Sequence, residues 1–207
     1  MSEVVYTDPR QRAHALHLGM WTFLGSETLL FAGLFALYTS YRSAFPVEFQ
    51  HGVAHNNTLI GTANTAVLII SSFFVAWGVH SMRANRPRTT LRCLLVAITL
   101  GFTFLAFKSI EYTEHLREGF APGQYFSSTE VPARGSVLFF TLYFVMTGLH
   151  ALHVIAGMVL LGWLAFRIKR GRTRPELHTE LDLGGLYWHL VDIVWIFLWP
   201  LLYLTHQ

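Results

Sequence analysis

Long apolar runs separated by short, arginine-bearing polar segments fill this chain from end to end. Five runs, at roughly residues 18–41, 62–82, 93–112, 136–166 and 183–205, are long enough to cross a bilayer. Crossing the hydrocarbon core takes about 20 residues at a helical rise of ~1.5 Å each. The pattern predicts an all-α membrane protein, with residues 1–207 forming a single transmembrane domain of five transmembrane helices. The fourth run is longer than a span requires and is expected to tilt or to project beyond the membrane. The connections leave no room for a soluble domain, and no internal repeat or low-complexity segment interrupts the pattern.

Composition agrees, since 53% of the residues are hydrophobic and only 13% are charged. An ordinary soluble domain carries about twice that charged fraction, ~25%. Charge placement then gives an orientation. With the N-terminus inside, segments 1–17, 83–92 and 167–182 face the cytoplasm and hold eleven of the fifteen Lys and Arg residues. These are Arg10, Arg12, Arg83, Arg86, Arg88, Arg92, Arg167, Lys169, Arg170, Arg172 and Arg174. The opposite loops hold Arg42, Arg117 and Arg134, while Lys108 lies inside the third run. The positive-inside rule therefore predicts a cytoplasmic N-terminus and an outside C-terminus. The net charge of +3 reflects topology and anionic lipid. No basic patch interleaved with aromatics points to nucleic acid. The first sixteen residues lack an apolar core with a small-residue cleavage site, so no cleaved signal peptide is expected. Cys93 is the sole cysteine, which excludes an internal disulfide.

Ionisable residues inside the runs carry the functional signal, because charge in hydrocarbon is costly unless it meets protein, water or a counter-charge. Glu27 lies about nine residues into the first run, ~14 Å along its axis. It reads either as a proton-linked or lipid-contacting acid, or as a neutral carboxyl bonded to a neighbouring helix. Lys108 and Glu111, three residues apart near the outer end of the third run, are expected to form an interfacial ion pair with the lysine snorkelling outward. Glu111 is the better candidate for a buried partner. His150 and His153 share a face of the fourth run, as His189 and Asp192 do on the fifth. They could ligate haem or copper, or hydrogen-bond across helices with Asp192 orienting His189. The depth of His189 differs from that of His150 and His153 by roughly 10 Å, which disfavours a common metal. Small residues (Ala32 and Ala36, Ala97 and Gly101, Gly148 with Ala151) mark faces for close helix approach. Pro200 should kink or end the last helix.

Blocks in all five runs, in chain order, resemble subunit III of the haem–copper terminal oxidases in its five-helix bacterial form. They are Leu24-Gly25-Ser26-Glu27-Thr28-Leu29-Leu30-Phe31, then Asn64-Thr65-Ala66-Val67-Leu68 with Ser71-Ser72, then Glu111-Tyr112-Thr113-Glu114. The fourth run adds Thr147-Gly148-Leu149-His150-Ala151-Leu152-His153-Val154-Ile155-Ala156-Gly157, and the fifth Tyr187-Trp188-His189-Leu190-Val191-Asp192-Ile193-Val194-Trp195. The resemblance covers nearly the whole chain. It implies a non-catalytic subunit of a proton-pumping cytochrome c oxidase in the bacterial inner membrane. Haem and copper would reside in partner subunits I and II, with no cofactor or metal in this chain. It also implies direct packing on subunit I and phospholipid held in a cleft between the first two helices and the last three, a 2+3 arrangement, and leaves membership of a respiratory supercomplex open. Glu27 falls on the family's membrane-embedded, carbodiimide-reactive carboxylate, and Arg167 on its lipid-headgroup arginine. Glu111, His150, His153, His189 and Asp192 fall on positions with structural roles. Relative to seven-helix members, the two helices before the Glu27 helix are missing. Quinol oxidases and partners of nitric oxide reductases share related subunits, so donor and acceptor stay open. Two other classes compete: a stand-alone membrane cytochrome using His150 or His153 with His189, and a small transporter with Glu27 as its proton site. The transporter lacks the paired broken helices or repeated halves of many such folds.

Overall fold

The computed structural model describes residues 9–127, 133–171 and 175–205, and among them the only regular structure is helical. In chain order the helices are α1 (Pro9–Ala44), α2 (Pro46–His55), α3 (Thr58–Arg83), α4 (Pro87–Arg117), α5 (Ala133–Lys169) and α6 (Pro175–Tyr203). A 3-10 turn, Gly123–Tyr125, follows α4. All but α2 are long and apolar enough to cross a membrane. Arg172 and Arg174, counted in the charge asymmetry, lie outside the described residues.

Local chemistry sets the boundaries. Proline opens α2 and α4, where its missing N–H costs nothing and its fixed φ suits the first turn. The Asn57 side chain caps α3 by accepting from the Leu59 and Ile60 amides at 3.0 and 3.2 Å. At the end of α3, Asn85 turns left-handed (φ 55°), and the Arg86 and Asn85 amides close back on the Ser81 and Met82 carbonyls, both at 2.9 Å. Gly119 (φ 83°) performs the same turn after α4, with Phe120 N–H on the His115 carbonyl at 2.9 Å. Helix α2 forms inside a segment that hydropathy reads only as a connection. Ten residues cannot span the bilayer, so it lies against the end of α5 with Gly52 under the Phe139 ring. Pro200 does not end the last helix, which continues to Tyr203.

Helices α3 to α6 form a bundle. The α3–α4 hairpin is tight because hydroxyls reach backbone across it: Ser71 to the Ala97 carbonyl at 3.2 Å and Thr90 to the Gly78 carbonyl at 3.0 Å. Helix α6 presents two fully buried tryptophans. Trp188 lies on Gly101 of α4 and Gly157 of α5, where an added Cβ would come within 3.2 and 2.7 Å of the indole. Trp195 donates to the Thr65 hydroxyl at 3.1 Å and packs edge-on against Phe104. Helix α1 lies outside the bundle on α5 and α6, through Phe23–Tyr187 stacking and a Tyr38 hydroxyl donated to the Leu201 carbonyl at 3.0 Å.

The expected 2+3 grouping is therefore corrected: among the described residues α1 makes no contact with α3. The small and hydroxyl faces of α3 are taken by α4 and α6. Ala32 and Ala36 point away from the protein rather than marking a close approach. Instead of one cleft between two groups, α1 and α3 flank an open strip of α6 that carries Ile193, Ile196 and Phe197.

Lys108 and Glu111 also differ from expectation. Both are buried, at 3% and 2% exposure, and the lysine does not snorkel. Lys108 Nζ donates to Glu111 Oε2 (3.1 Å), the Tyr143 hydroxyl (2.8 Å) and the Tyr203 hydroxyl (2.9 Å). Each tyrosine passes its own proton to Glu111 Oε1, at 2.6 and 2.5 Å. All three ammonium hydrogens are used and both carboxyl oxygens are filled, so the cluster closes on itself with no net charge. It joins α4, α5 and α6 at one point. An interfacial position was expected from distance to the helix end, but α4 runs on to Arg117 and keeps Lys108 inside.

Two outcomes are expected. Gly157→Ala should destabilise the protein, because overpacking against Trp188 costs about 1–3 kcal/mol against a helix-propensity gain of at most ~1 kcal/mol. Gly162→Ala, with open space at its Cβ, should be neutral or stabilising in the same thermal unfolding assay in detergent. Lys108→Met should cost about 3–5 kcal/mol by stranding the buried carboxylate, and the double change Lys108→Met/Glu111→Gln should recover most of it. Equal stability of the single and double variants would show that a stranded Glu111 carboxylate is not the source of the loss.

Candidate functional site

Glu27 comes from α1 and His153 from α5, and they meet directly: His153 Nε2 lies 2.9 Å from Glu27 Oε2. The two side chains keep 14% and 17% exposure, so the pair is shielded without being sealed. Phe31, one turn after Glu27, places its ring edge-on to the imidazole at 5.4 Å. The Tyr187 hydroxyl bonds the His153 carbonyl at 3.1 Å and fixes α6 to the same spot.

The other imidazole nitrogen decides the proton count. His153 Nδ1 is 2.8 Å from the Leu149 carbonyl, which can only accept, so Nδ1 carries hydrogen. One further proton must then lie between Nε2 and the carboxyl. It resides either on Glu27, giving acid and neutral imidazole, or on His153, giving carboxylate and imidazolium. The pair is neutral in both forms, and interconversion moves one proton across a single hydrogen bond. This is an arrangement that can store and hand on a proton at little electrostatic cost.

The remaining polar residues separate from this pair. His189 Nδ1 is 2.6 Å from the Ser72 hydroxyl of α3. Asp192, one turn on, is 4% exposed and has the same Ser72 hydroxyl as its hydrogen-bonding neighbour. The expected direct bond from Asp192 to His189 is not formed, and Ser72 stands between the two. Among the described residues His150 is fully buried between Phe104 (5.6 Å) and Trp195 (5.0 Å), with both ring nitrogens unpartnered. Asn64 on α3 is likewise buried, with neither amide atom bonded among the described residues. His150, His153 and His189 each engage a different neighbour and do not converge on a shared centre. Among the described residues no group of three or more His, Cys, Asp or Glu side chains is arranged to hold a metal.

Arg167 closes the opposite end of the bundle. It pairs with Glu180 of α6 and stacks its guanidinium over Trp163 at 4.7 Å. Nearby in sequence, Asp182 pairs with Arg83 of α3 at 3.1 Å. Sequence reading missed Glu180 and Asp182 as partners by leaving 167–182 as a loop. Pro175 followed by acids is the signal of a helix N-terminus that would have found them. Tyr143, Tyr203 and Ser72 carry no comparable signal: a membrane tyrosine or serine reads equally well as belt or packing residue.

The whole chain also matches known proteins. The family model described as cytochrome c oxidase subunit III matches residues 6–206. A cytochrome c oxidase subunit 3 of Synechocystis sp. is 31% identical, over 96% of this chain and 82% of its own length. A probable cytochrome c oxidase subunit 3 of Nocardia farcinica is 32% identical, over 93% of this chain and 92% of its own. A quinol oxidase subunit 3 of Bacillus subtilis is 29% identical, over 90% and 85%. With a family match over nearly every residue and relatives covered for most of their length, this chain belongs to the cytochrome c oxidase subunit III family.

Proposed function

We propose that the chain is the accessory, non-catalytic subunit III of a haem–copper cytochrome c oxidase in a bacterial inner membrane. In this reading haem and copper belong to subunits I and II, and subunit I is the direct partner. The chain holds phospholipid and supports proton uptake and the working lifetime of subunit I. Its N-terminus faces the cytoplasm, the side its arginines favour.

The Glu27–His153 pair is the observation that carries the proton role. It is an acid–imidazole couple inside a membrane span, the Leu149 contact holds the Nδ1 hydrogen so that one further proton lies between Nε2 and Glu27, and the pair keeps partial access to its surroundings. The sealed Lys108–Glu111 cluster lacks such access, so Glu27 and not Glu111 is the proton-linked carboxyl. Arg167 supports the lipid role at the arginine-rich end. Glu180 occupies one side of a guanidinium that has five N–H donors, leaving others for a phosphate, while the half-exposed Trp163 beneath it suits a headgroup boundary. A quinol oxidase is the second reading, favoured by the Bacillus relatives.

Glu27→Gln tests the proton role. The amide can still bond His153, so assembly should match wild type, but it carries no exchangeable acid proton. Enzyme turnover should then decline several-fold sooner during sustained oxidation, or proton uptake should slow. An assembled Glu27→Gln enzyme with unchanged turnover, pumping and inactivation kinetics would remove Glu27 from the proton pathway.

A further inference from the structure

The side chains that fasten α4, α5 and α6 also form a chemical site that the proton role of Glu27 does not use. Tyr143 and Tyr203 each donate a phenol hydrogen to Glu111 Oε1, at 2.6 and 2.5 Å, within the reach of a positioned base. Among the described residues no other phenol or indole donates to a carboxylate. The Tyr38 and Tyr187 hydroxyls bond the Leu201 and His153 carbonyls. The Tyr112 hydroxyl lies 2.6 Å from that of Thr147, and the Trp195 indole donates to Thr65. A carbonyl or an alcohol is a poor base, whereas a carboxylate accepts a proton outright.

That difference matters when an aromatic ring loses an electron. An oxidised phenol is a strong acid, and it settles as a neutral radical only where its proton has a base to go to. At Tyr143 or Tyr203 the proton crosses one hydrogen bond to Glu111 Oε1, and the closed cluster keeps it for the return. Before that step Lys108 Nζ lies 2.8 and 2.9 Å from the two phenol oxygens, about as close as the carboxylate, so the two opposite fields largely cancel. Afterwards Glu111 is neutral and the ammonium has lost its counter-charge. Aromatic rings then hold the cation: Nζ is 4.8 Å from the Tyr143 ring centre, 5.4 Å from those of Tyr112 and Trp195, and 5.6 Å from that of Tyr203.

Two partly exposed rings lead to the cluster from outside. Tyr112 lies 6.1 Å from Tyr143, ring centre to ring centre. Trp199 and Tyr203 meet over Gly61, where an added Cβ would come within 3.1 and 2.8 Å of them. We propose that Tyr143, Tyr203 and Glu111 form a proton-coupled electron-donor site that quenches peroxyl radicals arising in the surrounding bilayer. One electron leaves a phenol through Tyr112 or Trp199 and reduces the peroxyl radical. The phenol O–H bond breaks, and its proton goes to Glu111 Oε1. The hydroperoxide anion so formed takes a proton from water at the membrane surface, leaving hydroxide. The products are a hydroperoxide and a tyrosyl radical. The site uses this chain's own residues and depends on neither Glu27 nor the accessory role.

The test uses the purified native assembly in phospholipid vesicles, with cyanide present to silence oxygen chemistry in other subunits. A lipid-soluble azo initiator generates peroxyl radicals, and samples frozen during initiation are read by electron paramagnetic resonance. Wild type should show a tyrosyl signal that ring-deuterated tyrosine narrows. Tyr143→Phe/Tyr203→Phe should lower that signal about tenfold, and Lys108→Met/Glu111→Gln, which keeps both phenols and removes the base, should lower it as far. The second variant serves if the first fails to assemble. Tyr38→Phe, which removes a buried phenol bonded to a carbonyl, should leave the signal unchanged. No tyrosyl signal in wild type, a signal that survives either double variant, or an equal loss in Tyr38→Phe would overturn the site.

Discussion

Hydrocarbon offers no water to complete a hydrogen bond, so a polar group inside this protein depends on other protein groups for its partners. The Lys108–Glu111–Tyr143–Tyr203 cluster meets that demand completely, and the placement of the other helices follows from it. It fixes α4, α5 and α6 at a common point, with each ammonium hydrogen and each carboxyl oxygen used. With α6 held there, Trp195 reaches Thr65 and brings in α3, and Trp188 settles over Gly101 and Gly157. Helix α1 then docks on the completed α5–α6 face through Tyr38 and Glu27. The cluster is a strong fastener because removing any one member strands the rest in a low-dielectric interior.

The buried polar groups differ in how far they are satisfied, and this separates their roles. The Lys108 cluster is closed. The Glu27–His153 pair is satisfied along one hydrogen bond yet partly accessible, the geometry that the proposed proton role requires. Asn64 and His150 are enclosed without partners among the described residues. A rigid fastener benefits from the first condition, whereas proton exchange needs the second. The two ends of the molecule also differ among the described residues, where Arg167 pairs with Glu180 and Arg42 bonds the Thr205 carbonyl.

The five membrane helices and the motif residues were legible in the sequence because apolar length and in-order blocks are local signals. The partners were not. Glu27 and His153 are 126 positions apart, and nothing along either helix says that they meet. Lys108 looked interfacial because a hydropathy run ends near it, while the helix itself continues to Arg117. The 2+3 grouping came from the family resemblance and not from any residue pattern, and it is not found because α3 packs its small-residue faces on α4 and α6. Ala32 and Ala36 had the spacing of a packing face without a helix to meet them. Small-residue spacing identifies a possible contact, and tertiary structure decides whether it is used.

The most direct measurement is a pull-down of the tagged chain in mild detergent, with subunit masses and a reduced-minus-oxidised spectrum taken before and after the chain is stripped from its partners. The account predicts larger subunits carrying haem and copper bands, and those bands stay with them once the chain is removed. Haem retained by the isolated chain would make its histidines ligands and contradict the account.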